Sequence, residues 1–278
     1  MTDDFLTALL EAYWFAPPVA LWRAIELRAA AEERIERPLL DLGCGDGLIA
    51  RVLFGAERGV DVGFDPWREQ MHRAAGAGVY RHLDLAEAQH MPYADGAFAT
   101  VFSNSVLEHI PDLPPVLAEA GRVLRPGGRF IFTVPSDAFR WLLDGYQRRE
   151  QAGDAAGAEA YAAAVDARLA HHHYHSPEEW RGLLAEARMD LVRARYYIPA
   201  EVEQLWDRLN DGFGISRRNL WRVLASPRLA GLGYQRLLQR TVVRRYSRRW
   251  RTAYQMDVAP GEPGGGLLVV AERGGRAL

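Results

Sequence analysis

The sequence predicts an α/β fold, a mostly parallel sheet with helices on both faces. Three observations carry this. Short β-rich runs alternate with helical patterns through the first half of the chain. A glycine-rich turn joins the first such run to the first helix. A later amphipathic stretch is broken by Pro126-Gly127-Gly128 just before another β-rich run. Strands alternating with helices form βαβ units, whose sheets are buried on both sides.

Each element follows from local pattern. Pro38–Leu42 reads as the first strand, followed by a helix from about Leu48 to Phe54. Val60–Phe64 is the second strand, with a helix from Pro66 to about Ala75. Val79–Leu83 and Ala97–Ser103 are the third and fourth. A helix from about Asp112 to Leu124 places Val116, Leu117, Ala120 and Val123 on one face. The breaker at 126–128 ends it, and Arg129–Val134 is the fifth strand. After Pro135 the rhythm changes. Ser136–Ala170 reads as helical, including the alanine-rich stretch 152–164. Ser176-Pro177-Glu178-Glu179 is a helix start, with serine as cap, proline first and glutamate third. Leu191–Ile198 and Gly266–Ala271 are the last β-like runs, and the residues between them are helical and rich in arginine. The expected organisation is an N-terminal helical lid (1–36), a sheet domain (37–198 and 264–278) and a helical cap insertion (199–263).

Composition bounds the rest. The chain has 278 residues, 49% apolar and 25% charged, which suits a soluble globular protein. No apolar run approaches the ~18–20 residues of a membrane span, and the acidic start Thr2-Asp3-Asp4 lacks the positive flank of a secretory signal. The single cysteine, Cys44, rules out an intramolecular disulfide and argues against a cysteine zinc site. A cytoplasmic location is expected. Net charge is only −2, and every basic residue is arginine. Between Arg208 and Arg251 twelve arginines face one acid, Asp211.

The segment Leu39-Leu40-Asp41-Leu42-Gly43-Cys44-Gly45-Asp46-Gly47 sits where the first strand meets the first helix. A side chain at Gly43 or Gly45 would keep a ligand off the backbone, and the carboxyl edge of a parallel sheet is where such folds bind ligands. Dinucleotide enzymes also carry a glycine-rich turn, but their third glycine would fall at position 48, which is Leu48. Asp65 ends the second strand and can accept both hydroxyl hydrogens of a ribose. Asp84 ends the third and can accept from an adenine amino group, with Leu85 and Trp67 flanking the ring. Either aspartate alone would read as a helix cap. Ligand-type residues at three successive strand ends instead indicate a nucleoside site.

These residues resemble the class I S-adenosylmethionine-dependent methyltransferase superfamily, in its small-molecule branch. The likeness runs from about Leu39 to Pro135, with weaker similarity through Ser176–Ala187. Its most specific parts are Asp41–Gly47, Met91–Val101, Leu107-Glu108-His109-Ile110-Pro111-Asp112 and Leu124–Gly128. The resemblance implies a Rossmann-like seven-stranded sheet whose last strand, Gly266–Ala271, inserts antiparallel beside the fifth. It implies S-adenosyl-L-methionine as cofactor, bound by residues that include Asp41, Gly43, Cys44 and Gly45, with Gly43 and Gly45 at its methionine part. Asp65 would hold the ribose, Asp84-Leu85 the adenine, and Ser103-Asn104 would lie near the sulfonium. Lids are common in this family, so Tyr13 or Arg23 could reach the cofactor carboxylate; packing of the aromatic stretch Tyr13–Trp22 is the alternative.

A sulfonium is already a strong methyl donor, so the protein's task is alignment in a dry pocket, with a general base where a hydroxyl must lose its proton. Histidine suits that role. His109 follows the fourth strand, and caps the short helix before Pro111 in the plainer reading. In the tract His171-His172-His173-Tyr174-His175, alternate residues share a face if extended, so His173 or His175 can reach the pocket or line an exposed loop. A related branch that methylates quinone precursors binds a divalent metal through acids and a histidine here. Glu108 and His109 match two of those ligands, but Ser105 stands where a further glutamate would be, and no metal is expected. The expected function is methyl transfer to a small molecule, at oxygen, assisted by a histidine. The rivals are an NAD-dependent oxidoreductase and a non-catalytic cofactor-binding partner. Leu238, Val242, Tyr246 and Trp250 form an apolar stripe, and Arg240, Arg244 and Arg248 a basic one. The basic stripe is either solvated cap surface or a contact for phosphate-bearing substrates or an anionic membrane. The rest of the domain is not basic, which argues against nucleic acid.

Overall fold

A computed structural model describes residues 4–213, 223–225 and 233–275, with the side chains of 57, 58 and 211–213 left out. Arg217, Arg218, Arg222 and Arg228 of the arginine-rich stretch, and Asp211's side chain, therefore lie outside the described residues.

Among the described residues seven strands form one sheet in the order β3-β2-β1-β4-β5-β7-β6. They are β1 (Leu39–Leu42), β2 (Val60–Asp65), β3 (Tyr80–Leu85), β4 (Phe98–Asn104), β5 (Leu124–Pro135), β6 (Met189–Tyr196) and β7 (Gly266–Arg273). The first five pair in parallel, and β7 runs antiparallel to β5. The order reverses between β1 and β4, and ligands bind such sheets at the carboxyl ends beside that reversal. β5 begins earlier than its hydrophobic run. Leu124 pairs with Phe98, and Arg129 with Thr100, across a register shift that absorbs Pro126-Gly127-Gly128.

Two compact units divide the chain: 1–29, 138–165 and 196–265 in one, and 30–137, 166–195 and 266–278 in the other. These lines differ from the divisions at 36, 198 and 263 expected from sequence. Residues 138–165, which carry no strand, group with the N-terminal segment and with 196–265 rather than with the sheet.

In the sheet unit, helices α3 (Leu48–Arg58), α4 (Arg68–Ala77), α5 (Leu113–Val123) and α9 (Pro177–Glu186) accompany the strands. β1 is buried along its whole length. Phe54 of α3 meets Phe102 of β4 edge-on at 5.5 Å, and Trp180 of α9 meets Phe132 of β5 at 4.8 Å. The capping box at the start of α9 is formed. Ser176 Oγ accepts from the Glu179 N–H, and the Glu179 carboxylate accepts from the Ser176 N–H at 2.7 Å.

The elements described in the other unit are helices: α1 (Phe5–Ala12), α2 (Pro17–Ala30), α6 (Phe139–Leu142), α7 (Asp144–Gln151), most of α8 (Ala155–Leu169), α10 (Ala200–Phe213), α11 (Gln235–Arg249) and α12 (Arg251–Gln255). Trp22, Phe139 and Trp206 form an aromatic cluster with centroids 5.2–6.0 Å apart. On α11 Val242 is buried, as is Trp250 just after it, while Arg240, Arg244 and Arg248 are exposed. Among the described residues no helix is long and apolar enough to cross a membrane.

Helix α5 approaches the end of α9 so closely that a Cβ on Gly121 would lie 2.5 Å from the Ala187 carbonyl oxygen. Alanine would favour the helix by about 1 kcal/mol, yet overpacking against fixed backbone costs about 1–3 kcal/mol. Gly121→Ala should therefore lower the melting temperature in a thermal unfolding scan. An unchanged or raised midpoint would show that the two helices are not in contact here.

Candidate active site

The site is built where β1, β2 and β3 end. After Leu42 the chain enters the left-handed region at Gly43 (φ 73°) and Gly45 (φ 54°), conformations that a Cβ disfavours. The two glycines then serve different purposes. A Cβ on Gly43 would fall 2.6 Å from the Val106 side chain, so its bareness admits Val106 from the segment after β4. A Cβ on Gly45 would meet nothing within 4 Å, so this is the residue that leaves open space beside the backbone.

Asp65, at the end of β2, holds the turn. Its carboxylate accepts the Gly45 N–H at 3.1 Å and the Trp67 N–H at 2.9 Å. Burial raises its pKa above the ordinary carboxylate range, and the two N–H donors oppose that rise. Asp84 accepts from the Tyr93 hydroxyl at 3.0 Å and from His82 Nε2 at 2.9 Å. Register places Asp65 opposite Leu85. Leu85 and Trp67 are 49% and 70% exposed, so two large apolar side chains stand open at adjacent strand ends. That donor set fits a nucleoside: a buried carboxylate for a diol, a second carboxylate for an amine, apolar groups for a ring, and an uncrowded glycine.

Asp41 is buried, and its carboxylate accepts from the Tyr80 hydroxyl at 2.6 Å. Burial pushes it up to about 7, helped by the charge of Asp65 and opposed by the Tyr80 hydrogen bond. The same burial pushes the Tyr80 hydroxyl and the Cys44 thiol upward. Tyr80 was not expected at the site from sequence. Its ring lies 2.6 Å from where a Cβ on Gly63 would be, so the glycine in β2 is the signal that a bulky neighbour sits there.

The other expected residues have defined places. Ser103 Oγ donates to the Leu42 carbonyl at 3.1 Å, and Asn104 Nδ2 donates to Thr133 Oγ1 at 2.7 Å. His109 Nδ1 lies 3.0 Å from the Ala170 carbonyl oxygen, and the His172 N–H donates to the Glu108 carbonyl at 2.8 Å. His173 Nε2 lies 2.8 Å from the Ile110 carbonyl oxygen. The histidine tract thus runs along the segment that follows β4. His175 packs edge-on against Trp180 and stacks on His173. Burial, then the neighbouring His173, holds it below the usual histidine value. Tyr13 and Arg23 belong to the helical unit. There Tyr13 packs on Phe15, and Arg23 pairs at 2.7 Å with the buried Glu26, which also accepts from Tyr197.

Residues 40–132 match the Methyltransferase domain family, and that span contains nearly all of β1, the whole of β2 to β4, Asp41, Asp65 and Asp84, and most of β5. Residues 40–132 thus form a methyltransferase domain. It is 36% identical over 97 residues to the methyltransferase GfsG of Streptomyces halstedii, covering 33% of this chain and 35% of that protein. It is 36% identical over 110 residues to the 27-O-demethylrifamycin SV methyltransferase of Amycolatopsis mediterranei, covering 36% and 40%. The chain therefore spans well under half the length of these curated relatives. In fold it is similar to geranyl diphosphate C-methyltransferase from Streptomyces coelicolor, with a TM-score of 0.54 at 14% identity, covering 92% of this chain and 82% of that one.

An acid held above its unfolded value of 3.8 binds its proton more tightly when folded. The stability Asp41 contributes is thus fully present below about pH 4 and is lost as pH rises through about 7. Asp41→Asn keeps a neutral acceptor for Tyr80 and lacks this slope. In urea titrations without ligand, wild type should lose stability relative to the variant between pH 4 and 7, and the gap should be constant above. A pH-independent gap over that range would place Asp41 in water rather than in the core.

Proposed function

We propose that the protein is a methyltransferase that transfers the methyl group of S-adenosyl-L-methionine to an oxygen of a small molecule. The observation that carries this reading is the buried Asp65 carboxylate, gripped by the Gly45 and Trp67 N–H groups beside exposed Trp67 and Leu85. A relative acting on 27-O-demethylrifamycin SV supports an oxygen acceptor.

When bound, the cofactor supplies a methyl group on positively charged sulfur. The chain's own residues do the rest. Asp65 accepts the ribose hydroxyls, Asp84 takes the adenine amine, and Trp67 and Leu85 cover the ring. The Gly43–Gly45 turn leaves backbone space for the methionine part, next to Asp41 and Cys44. Ser103 and Asn104 hold the end of β4 in place through Leu42 and Thr133. A proton acceptor must be neutral and carry a lone pair. Among His109, His173 and His175, His175 meets this best, because burial keeps it uncharged near neutrality. His173 stays near it as a stacked neighbour, with its own Nε2–H directed at backbone carbonyls. The exposed Arg240, Arg244 and Arg248 form a surface to which phosphate-bearing substrates or anionic head groups would be drawn.

Calorimetry with S-adenosylhomocysteine tests the cofactor site. Wild type should bind, and Asp65→Ala should lose about 1.5–3 kcal/mol per charge-assisted hydrogen bond removed. Binding of NADH in its place, or unchanged affinity in the variant, overturns the reading.

The base is tested by pH dependence. With a hydroxyl substrate, kcat/KM should rise with pH through a value below 6.5 and level off above it. His175→Gln should erase that limb and lower turnover by ~10²–10⁴-fold. A profile identical in the variant would mean that alignment alone drives transfer.

A further inference from the structure

Glu108, His109 and His171 come from two segments sixty-two residues apart, and each offers one ligand-type atom within 4.8 Å of the others. Glu108 is buried, and its Oε1 lies 3.9 Å from His109 Nε2. The rings of His109 and His171 are 5.2 Å apart.

Neighbouring groups set the tautomer of both histidines. A carbonyl oxygen only accepts, so His109 must donate from Nδ1 to Ala170, which puts its lone pair on Nε2. The Tyr174 hydroxyl donates to the Asp166 carboxylate at 2.5 Å. Its hydrogen is therefore committed, and at 3.0 Å it accepts from His171 Nδ1–H, which puts that lone pair on Nε2 as well. Imidazoles oriented by a carbonyl or a carboxylate-backed group on the far nitrogen are typical of metal ligands. The backbone is unusual at both segments. Ser105 (φ 49°) and Ala170 (φ 56°) are two of only three non-glycine residues in the left-handed region among the described residues. Such conformations cost of order 1–3 kcal/mol and gather where geometry is functionally constrained.

We propose that Glu108, His109 and His171 form a binding site for a divalent first-row transition-metal cation, with open positions for water or a substrate oxygen. Two imidazoles and one carboxylate suit Zn²⁺, Fe²⁺ or Mn²⁺ better than Mg²⁺ or Ca²⁺, which favour all-oxygen shells. Ligand bonds of about 2.0–2.2 Å put tetrahedral neighbours about 3.4 Å apart, so modest side-chain rotation closes the cluster around an ion. Tyr174 and Asp166 act as positioning residues through His171. The site stands apart from the identity of the methyl acceptor.

The test uses the whole chain, stripped with chelator and titrated with Zn²⁺ alone by calorimetry. One equivalent should bind, and millimolar Mg²⁺ should not compete. Glu108→Gln, His109→Gln and His171→Gln should each abolish that binding, while Tyr174→Phe should weaken it about 10–100-fold. His172→Gln should leave it intact, which separates a built site from adventitious capture by the histidine tract. Unchanged S-adenosylhomocysteine affinity in each variant serves as the folding control. Lack of saturable binding, equal competition by Mg²⁺, or binding that survives Glu108→Gln overturns the proposal.

Discussion

Two backbone N–H groups on one buried carboxylate hold the site together. Asp65 joins the turn after β1, through Gly45, to the start of α4, through Trp67. Without it, two strand ends would present unpaired donors beside each other, and the turn would have no reason to keep its left-handed glycines. Burying a carboxylate is costly, and satisfied hydrogen bonds make it tolerable. The same oxygens retain further acceptor capacity, which is why a group that anchors the turn can also receive a diol.

That anchor constrains its neighbours electrostatically. Asp41 lies close enough for the charge of Asp65 to raise it, and Tyr80 supplies the hydrogen bond that offsets part of the effect. Burial does most of this: it holds Asp41 protonated towards neutrality, and the charge of Asp65 adds a smaller push in the same direction. Gly63 and Gly47 make room for the Tyr80 ring, so the polar arrangement rests on a steric one.

Much of this could be read in the sequence because strand ends coincide with changes of residue type. Apolar runs ending in Asp65 and Asp84, with the glycine pattern at 43–47, located the carboxyl edge to within a residue or two. What escaped depends on distant partners. β5 starts at Leu124 because a register shift against β4 accommodates the glycines that local reading treats as a stop. Tyr80 was invisible because its role comes from Gly63 on the adjacent strand. Glu108 and His109 are neighbours in sequence, whereas only the fold brings His171 to them, from sixty-two positions beyond His109. The grouping of 138–165 with the terminal helices likewise follows from packing, on which helical periodicity is silent.

Cys44, the chain's one thiol, sits inside the turn, where burial above all, and then Asp41 and Asp65, suppress its ionisation. Thiol reagents need the thiolate and an approach path, and the closed turn denies both. Modification must therefore wait for the turn to open, which makes Cys44 a built-in clock for local breathing. Its trapping rate, set against that of the unfolded chain, reads the free energy of opening at this one place. Any molecule that braces the turn would slow that clock in proportion to how firmly it holds.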